Sequence, residues 1–238
     1  MIKLLTWDTK FFSFKVAQIL TKNLKSFFSS NKVELMRKKN IRLIQFVCNI
    51  NDEKNLYEAQ KNNFKYVDLR IQYKKFLKPN NINGKYLVSK ARKKDILVLK
   101  KNFAHRFNFT RYYTDSNFDK KKILDFYKNW IERSVKGQFD NYTLIMKKNK
   151  KILGFCTITE KNSSTAIIGL ISTIKNTNGY GSVLIKLVEN YLVTRGIKKF
   201  YVVTQGRNHQ AQKLYDKNFY KIDKVECYYH LWLSNLKF

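Results

Sequence analysis

Cysteine is scarce in this chain of 238 residues. Cys48, Cys156 and Cys227 are too few and too widely spaced for a disulfide framework or a CxxC metal site. All three lie in apolar, strand-like runs and read as buried thiols. The three histidines, His105, His209 and His230, share no spacing suited to a metal site or a catalytic triad, so no metal is expected. No uncharged apolar run reaches the length of a membrane span. The opening MIKLLTWD lacks the apolar core and small-residue cleavage site of a signal peptide, so a cytoplasmic protein is expected. Acidic residues are also few, 17 against 48 Lys and Arg, for a net charge of +31. That excess invites a nucleic-acid reading, with a non-catalytic basic binding module as its form. Two things weigh against it. The lysines are scattered through every segment, as a codon bias toward Lys, Asn and Ile produces, and no aromatic-basic RNA motif is present. Nucleic acid is not the expected partner, though the charge favours any polyanionic ligand.

The composition, 44% hydrophobic and 15% aromatic, is that of a folded protein with a real core. The sole proline, Pro79, lies in the polar stretch KPNNINGK (78–85), which reads as a linker between domains at 1–78 and 86–238. Every glycine but Gly84 falls beyond residue 136, which concentrates tight turns in the second half. Before the linker the pattern predicts strands at 2–6, 15–21, 41–48 and 66–76 and helices at 24–37 and 52–62. This is a small α/β unit with a mostly parallel sheet. After it come a strand at 86–90, helical turns over 95–103 and a helix at 120–135. The apolar residues of that helix, Ile123, Phe126, Tyr127, Trp130 and Ile131, follow the 3.6-residue period. Strands at 142–147, 151–159 and 165–172 follow, joined by hairpin turns. A helix at 179–195, a strand at 199–205, a helix at 210–217 and a strand at 224–233 end the chain. The whole reads as α/β with segregated α+β character.

The chemistry gathers in the last quarter. In NTNGYGS (176–182) two glycines sit between a strand and a helix, where backbone N–H groups and the helix dipole favour an anion. GxG alone is a weak pattern. Ser182 reads equally as a phosphate donor or a helix cap. Asn208 reads as an N-cap or a ligand contact, and Tyr215 as a core tyrosine or a proton donor. Asp68 interrupts a strand and reads as a proton acceptor or as half of a surface ion pair. Trp7, Asp8, Phe12 and Phe14, in one short run, read as core or as a ligand wall.

These residues resemble the acyl-CoA signature of the GNAT superfamily of N-acyltransferases: GYG before a helix, then Thr204, Gln205, Asn208, Leu214 and Tyr215. LTWDTKFF (5–12), FYKNWIERSVKGQFD (126–140), IGL (168–170) and the 204–215 run extend the similarity to a sugar-nucleotide branch of that superfamily. The resemblance implies a GNAT fold, a mixed sheet flanked by helices whose central strands 165–172 and 199–205 splay apart at a bulge, with a small N-terminal α/β domain. It implies direct acetyl transfer from acetyl-CoA to the amine of a dTDP-amino sugar for surface polysaccharide, through a ternary complex, and is compatible with a homodimer. By resemblance, Leu170 and Ser172 offer backbone bonds to pantetheine, Asn176, Asn178, Gly179, Tyr180, Gly181 and Ser182 hold the pyrophosphate, and Asn208 bonds the pantetheine. Tyr215 protonates the CoA thiolate, Asp68 takes the amine proton through water, and Trp7, Asp8, Phe12, Phe14 and Trp130 face the substrate. Asn176 stands where the family usually has Gln or Arg. A GNAT enzyme acting on a protein or small-molecule amine is the nearer alternative.

Overall fold

The computed structural model describes residues 1–28, 32–82, 84–175 and 179–233. The chain forms two compact units. The first holds Met1–Arg70, Gln205–Arg207 and the chain from Lys224 onward; the second holds Ile71–Thr204 and Asn208–Asp223.

In the first unit β1 (Ile2–Leu4), β2 (Lys15–Ile19), β3 (Ile41–Asn49), β10 (Lys221–Trp232) and β4 (Lys65–Phe76) neighbour one another in the order β1-β2-β3-β10-β4, the last two also giving residues to the second unit. β2 and β3 are parallel, whereas β1 with β2 and β3 with β10 are antiparallel, so the sheet is mixed, not mostly parallel. The cause is β10, which returns from the far end of the sequence to pair Glu226–Trp232 against Leu43–Asn49. That pairing sets Cys48 opposite Cys227. The helices are α1 (Thr6–Phe12), α2 (Leu24–Phe28), α3 (Lys32–Lys38) and α4 (Glu53–Lys61). α4 begins where the Asp52 carboxylate accepts the Asn55 N–H. α2 and α3 occupy the span read as one helix. α1 replaces the expected coil after β1: it ends at Ser13 in a left-handed conformation, and Thr9 Oγ1 accepts the Val16 N–H. The core is Leu24, Phe27, Met36, Ile44, Phe46, Phe64, Tyr229 and their neighbours, with Phe28, Phe64 and Phe46 in edge-to-face contact.

In the second unit the strand order is β4-β9-β8-β7-β6-β5, from β9 (Lys199–Gln205), β8 (Thr165–Thr173), β7 (Lys151–Asn162), β6 (Tyr142–Lys148) and β5 (Leu87–Lys90). β5 to β8 run antiparallel in succession and β8 lies parallel to β9. Asn149 and Lys150 both take positive φ, the two-residue hairpin turn that suits twisted strands. The helices are α5 (Ile96–Phe103), α6 (Arg111–Thr114), α7 (Lys120–Val135), α8 (Tyr180–Val193) and α9 (His209–Lys217). Asp119 caps α7 and buries Ile123, Phe126, Tyr127 and Ile131 as the period predicts. α8 stops at Gly196, whose φ of +80° lets the Ile197 N–H reach back to the Leu192 carbonyl.

The units do not break at Pro79. Lys75 and Asn80 are held by α8: Lys75 Nζ lies 2.8 Å from Glu189 Oε2, Asn80 Nδ2 donates to the same oxygen, and the Asn80 N–H donates to Asn190 Oδ1. Glu189 is fully buried on a helix stripe that otherwise reads as apolar, and its pairing with Lys75 is what permits that. The polar stretch is therefore anchored at its start to the second unit.

Candidate active site

β8 and β9 carry the decisive geometry. Among the described residues their pairing runs from Thr165↔Lys199 to Ile168↔Val202 and ends there, although β8 continues to Thr173 and β9 to Gln205. The cause is on the other side of β8. Against β7 the register is Cys156↔Ile171 above and Ile158↔Ile168 below, so Gly169 and Leu170 oppose the single residue Thr157. That two-against-one count is a β-bulge, which bends its strand and sharpens its twist. A bend of that kind turns β8 away from β9, and the stretch beyond Ile168↔Val202, where the two strands are no longer paired, is the wedge.

Backbone parity decides what faces the wedge. The Ile174 N–H donates to the Leu153 carbonyl and the Leu170 N–H to Thr157 Oγ1, so the even-numbered groups point toward β7. Strand alternation then sends the N–H and C=O of Ile171 and Thr173 toward the opening. This corrects the sequence reading, which put Leu170 and Ser172 there. That reading rests on the family resemblance, not on the alternation of this strand.

α8 starts beside the same strand end. Gly179 is its N-cap, with φ of +86°, and supplies no capping side chain. The first turn holds no acidic residue, so the helix dipole keeps its positive end exposed to an incoming anion. Gly179 is there for its backbone conformation, Gly181 for a different reason. A Cβ on Gly181 would come within 2.9 Å of Leu214 Cδ1, so this glycine lets α8 and α9 approach. Tyr180 packs its ring edge against Tyr86, and Ser182 Oγ accepts from Asn218 Nδ2 at 3.0 Å, tying the two helices together. Asn176 and Asn178 lie outside the described residues.

On α9, Asn208 Oδ1 accepts the Ala211 N–H, the capping role that its position allows. Tyr215 is buried, packed on Tyr73 at 5.3 Å and Tyr220 at 5.7 Å. Burial, then the neighbouring Cys156 and Tyr73, lift its phenol well above the ordinary value of 10. The proton is firmly held, and a full transfer to sulfur is uphill, since thiols lose theirs near 8.5.

A buried polar group that sequence reasoning quoted but did not single out supports the bulge. Asp140, 4% exposed, accepts at Oδ2 from Trp130 Nε1 (2.8 Å) and Ser134 Oγ (2.7 Å) and at Oδ1 from Thr159 Oγ1 (2.7 Å). The indole N–H of Trp130, read as a substrate contact, is thus engaged by Asp140. The signal available in the sequence was an acid placed between an amphipathic helix and a buried strand.

The remaining expected residues belong to the first unit. Asp68 is buried; its Oδ1 accepts the Leu69 N–H, and Arg207 Nε lies 2.7 Å from Oδ2, off the hydrogen-bonding direction, as a charge pair. Arg207 also donates to the Val67 carbonyl. Phe12 and Asp8 are buried; Phe12 stacks on Phe14, Phe14 meets Trp232 at 5.4 Å, and Trp7 meets Phe11. Trp7, Phe11, Phe12, Phe14 and Trp232 form one connected cluster. Among the described residues no His, Cys, Asp and Glu group is arranged to hold a metal, and no helix is long and apolar enough to cross a membrane.

Residues 105–219 match the model of the acetyltransferase (GNAT) family. A dTDP-fucosamine acetyltransferase of Escherichia coli O6:H1 is 35% identical over 91 residues, 38% of this chain and 39% of that protein. The chain thus spans about two fifths of that relative. Among solved structures, a GCN5-related N-acetyltransferase from Sphaerobacter thermophilus superposes with a TM-score of 0.67 at 11% identity, covering 98% of this chain and 76% of that one. One from Kribbella flavida gives 0.57 at 9% identity, over 91% and 80%. The likeness to these structures is one of fold.

Proposed function

We propose that this chain, which carries a GNAT acetyltransferase domain, moves an acetyl group from acetyl-CoA to an amine on a nucleotide-linked amino-deoxy sugar. The observation that carries the proposal is the wedge between β8 and β9 beyond Ile168↔Val202. An extended pantetheine arm would enter it as an added strand, pairing with the N–H and C=O groups of Ile171 and Thr173. Its pyrophosphate would rest on the N–H groups of the first turn of α8 and the preceding residues, Asn176 and Asn178 among them. The amide of Asn208 would meet a pantetheine carbonyl from the α9 side.

In the reaction a neutral amine nitrogen attacks the thioester carbonyl. The C–N bond forms as the C–S bond breaks, the amine gives up one proton, and the sulfur leaves as thiolate and is protonated to CoA. Backbone N–H groups at the wedge stabilise the oxygen as it gains charge. Tyr215 acts by donating a hydrogen bond to the departing sulfur, which suits a phenol whose proton is tightly held. Asp68, which is paired with Arg207, accepts the amine proton through water. Holding both reactants at attack distance supplies the largest share of the rate, about 7 kcal/mol or more on effective-molarity grounds.

The sugar-nucleotide substrate is supported by the partial E. coli relative. A polysaccharide role and a cytoplasmic setting belong to the same proposal. The test is CoA thiol release from acetyl-CoA across dTDP-amino sugars, UDP-amino sugars, peptides and small-molecule amines. Release with dTDP-amino sugars is expected. Release with peptides or simple amines alone would replace the substrate class, and failure to bind CoA at all would remove the enzyme.

A further inference from the structure

The bulge in β8 is itself held in place, and the groups that hold it lie beneath the wedge, not in it. We propose that Thr157 and Asp140 are positioning residues: they clamp the bulge, and so fix which backbone groups of β8 face the acyl donor. The geometric part stands alone; its catalytic consequence rests on the acetyl-CoA reading above.

Thr157 is fully buried on β7, and its hydroxyl accepts the Leu170 N–H at 2.7 Å. In an unbulged ladder that N–H would bond to a β7 carbonyl; here a side chain takes over the carbonyl's role, and the extra residue is accommodated without an orphaned donor. Removing the hydroxyl leaves a buried donor that regains a partner only if β8 slips by one residue. A slip of one residue reverses which way every following backbone group points. Ile171 and Thr173 would then turn toward β7 and away from the wedge.

Asp140 closes the clamp from the other side. A Cβ on Gly169 would come within 2.6 Å of Asp140 Oδ1, 2.8 Å of Oδ2 and 2.6 Å of Thr157 Oγ1. The backbone of the bulge therefore rests directly on the carboxylate and the hydroxyl, with no space for a side chain between them. The carboxylate cannot retreat, because Trp130 and Ser134 from α7 and Thr159 from β7 all donate to it. With both oxygens engaged by donors, Asp140 serves as a fixed strut tying α7 and β7 to the bulge, not as a base for the amine.

Thr157→Val keeps the shape and removes the hydroxyl; Thr157→Ser keeps the hydroxyl. In the full chain, three quantities are compared: exchange of the Leu170 amide by NMR, the Kd for CoA, and kcat with KM for the amine substrate. Thr157→Val is expected to speed Leu170 exchange and to lower kcat or weaken CoA binding by about tenfold, with KM for the amine unchanged. Thr157→Ser is expected to restore all of these. If Thr157→Val does not fold, Ser134→Ala removes one donor from Asp140, and a several-fold fall in kcat at constant amine KM is expected. Wild-type exchange and turnover in a folded Thr157→Val, or in Ser134→Ala where that stands in, would overturn the clamp. If the wild-type protein binds no CoA, the acyl-donor reading fails, while the Leu170 contrast between the Val and Ser variants still decides the clamp.

Discussion

At the scale of single residues, Tyr215 shows how burial bears on a proposed role. A tyrosine seven positions after Asn208 looks like a proton donor, and its burial beside Tyr73 and Cys156 holds the proton more tightly than that role alone needs. Tyr215→Phe should lower kcat roughly tenfold to a hundredfold, the worth of a hydrogen bond to a charged atom, with KM for acetyl-CoA little changed. An unchanged kcat at saturating acetyl-CoA would remove Tyr215 from the reaction. The thiols behave in the same sense. Cys48 is pushed up to about 12, first by burial, then by Cys227, Asp52 and Glu226. Burial lifts Cys156 and Cys227 as well. At pH 8 the native protein should therefore resist iodoacetamide and take up label only when unfolded; rapid labelling of the native state would contradict that. Residue identities were legible in the sequence, but their reasons often were not. Gly179 is explained by its own backbone, whereas Gly181 is explained by Leu214, more than thirty positions away.

Elements with a strong period were the easiest to read. α7 occupies the expected 120–135, and β9 the expected 199–205, because their apolar patterns match what they bury. α1 was not legible: its aromatics, Trp7, Phe11 and Phe12, favour a strand locally, and the helix is fixed by the return of the chain at Thr9 and Val16. The bulge could not be read from the residues themselves, only expected from the family resemblance, since it depends on a side chain of one strand bonding the backbone of the next. α7 also carries a testable charge cluster. Glu132 is lowered to about 2, chiefly by the hydrogen bond from Lys100, then by that from Lys136. A carboxylate depressed in the folded state adds stability above its unfolded value near 4.3, and that stability is lost as pH falls toward 2. Glu132→Gln should cost up to about 1.5 kcal/mol at pH 7, given partial exposure, and close to nothing at pH 2. Equal losses at both pH values, by denaturant unfolding, would show that the pairs contribute nothing electrostatic.

At the scale of the whole molecule, the division of the chain follows β10 and not the proline. Glu226–Trp232 pair with a strand almost two hundred positions earlier, which a linear reading of turns and linkers does not reveal. The scattered +31 charge suits anionic ligands in general, and the proposal assigns selectivity to the wedge and the start of α8. Everything proposed for the acyl donor depends on β8 and β9 standing apart beyond Ile168↔Val202 and accepting an extended arm. A crystal structure of the protein with CoA bears on this most directly. The expected result is a pantetheine chain between the two strands, bonded to Ile171 and Thr173, with its pyrophosphate at the start of α8. CoA bound elsewhere, or β8 and β9 paired without a break to Thr173, would contradict it.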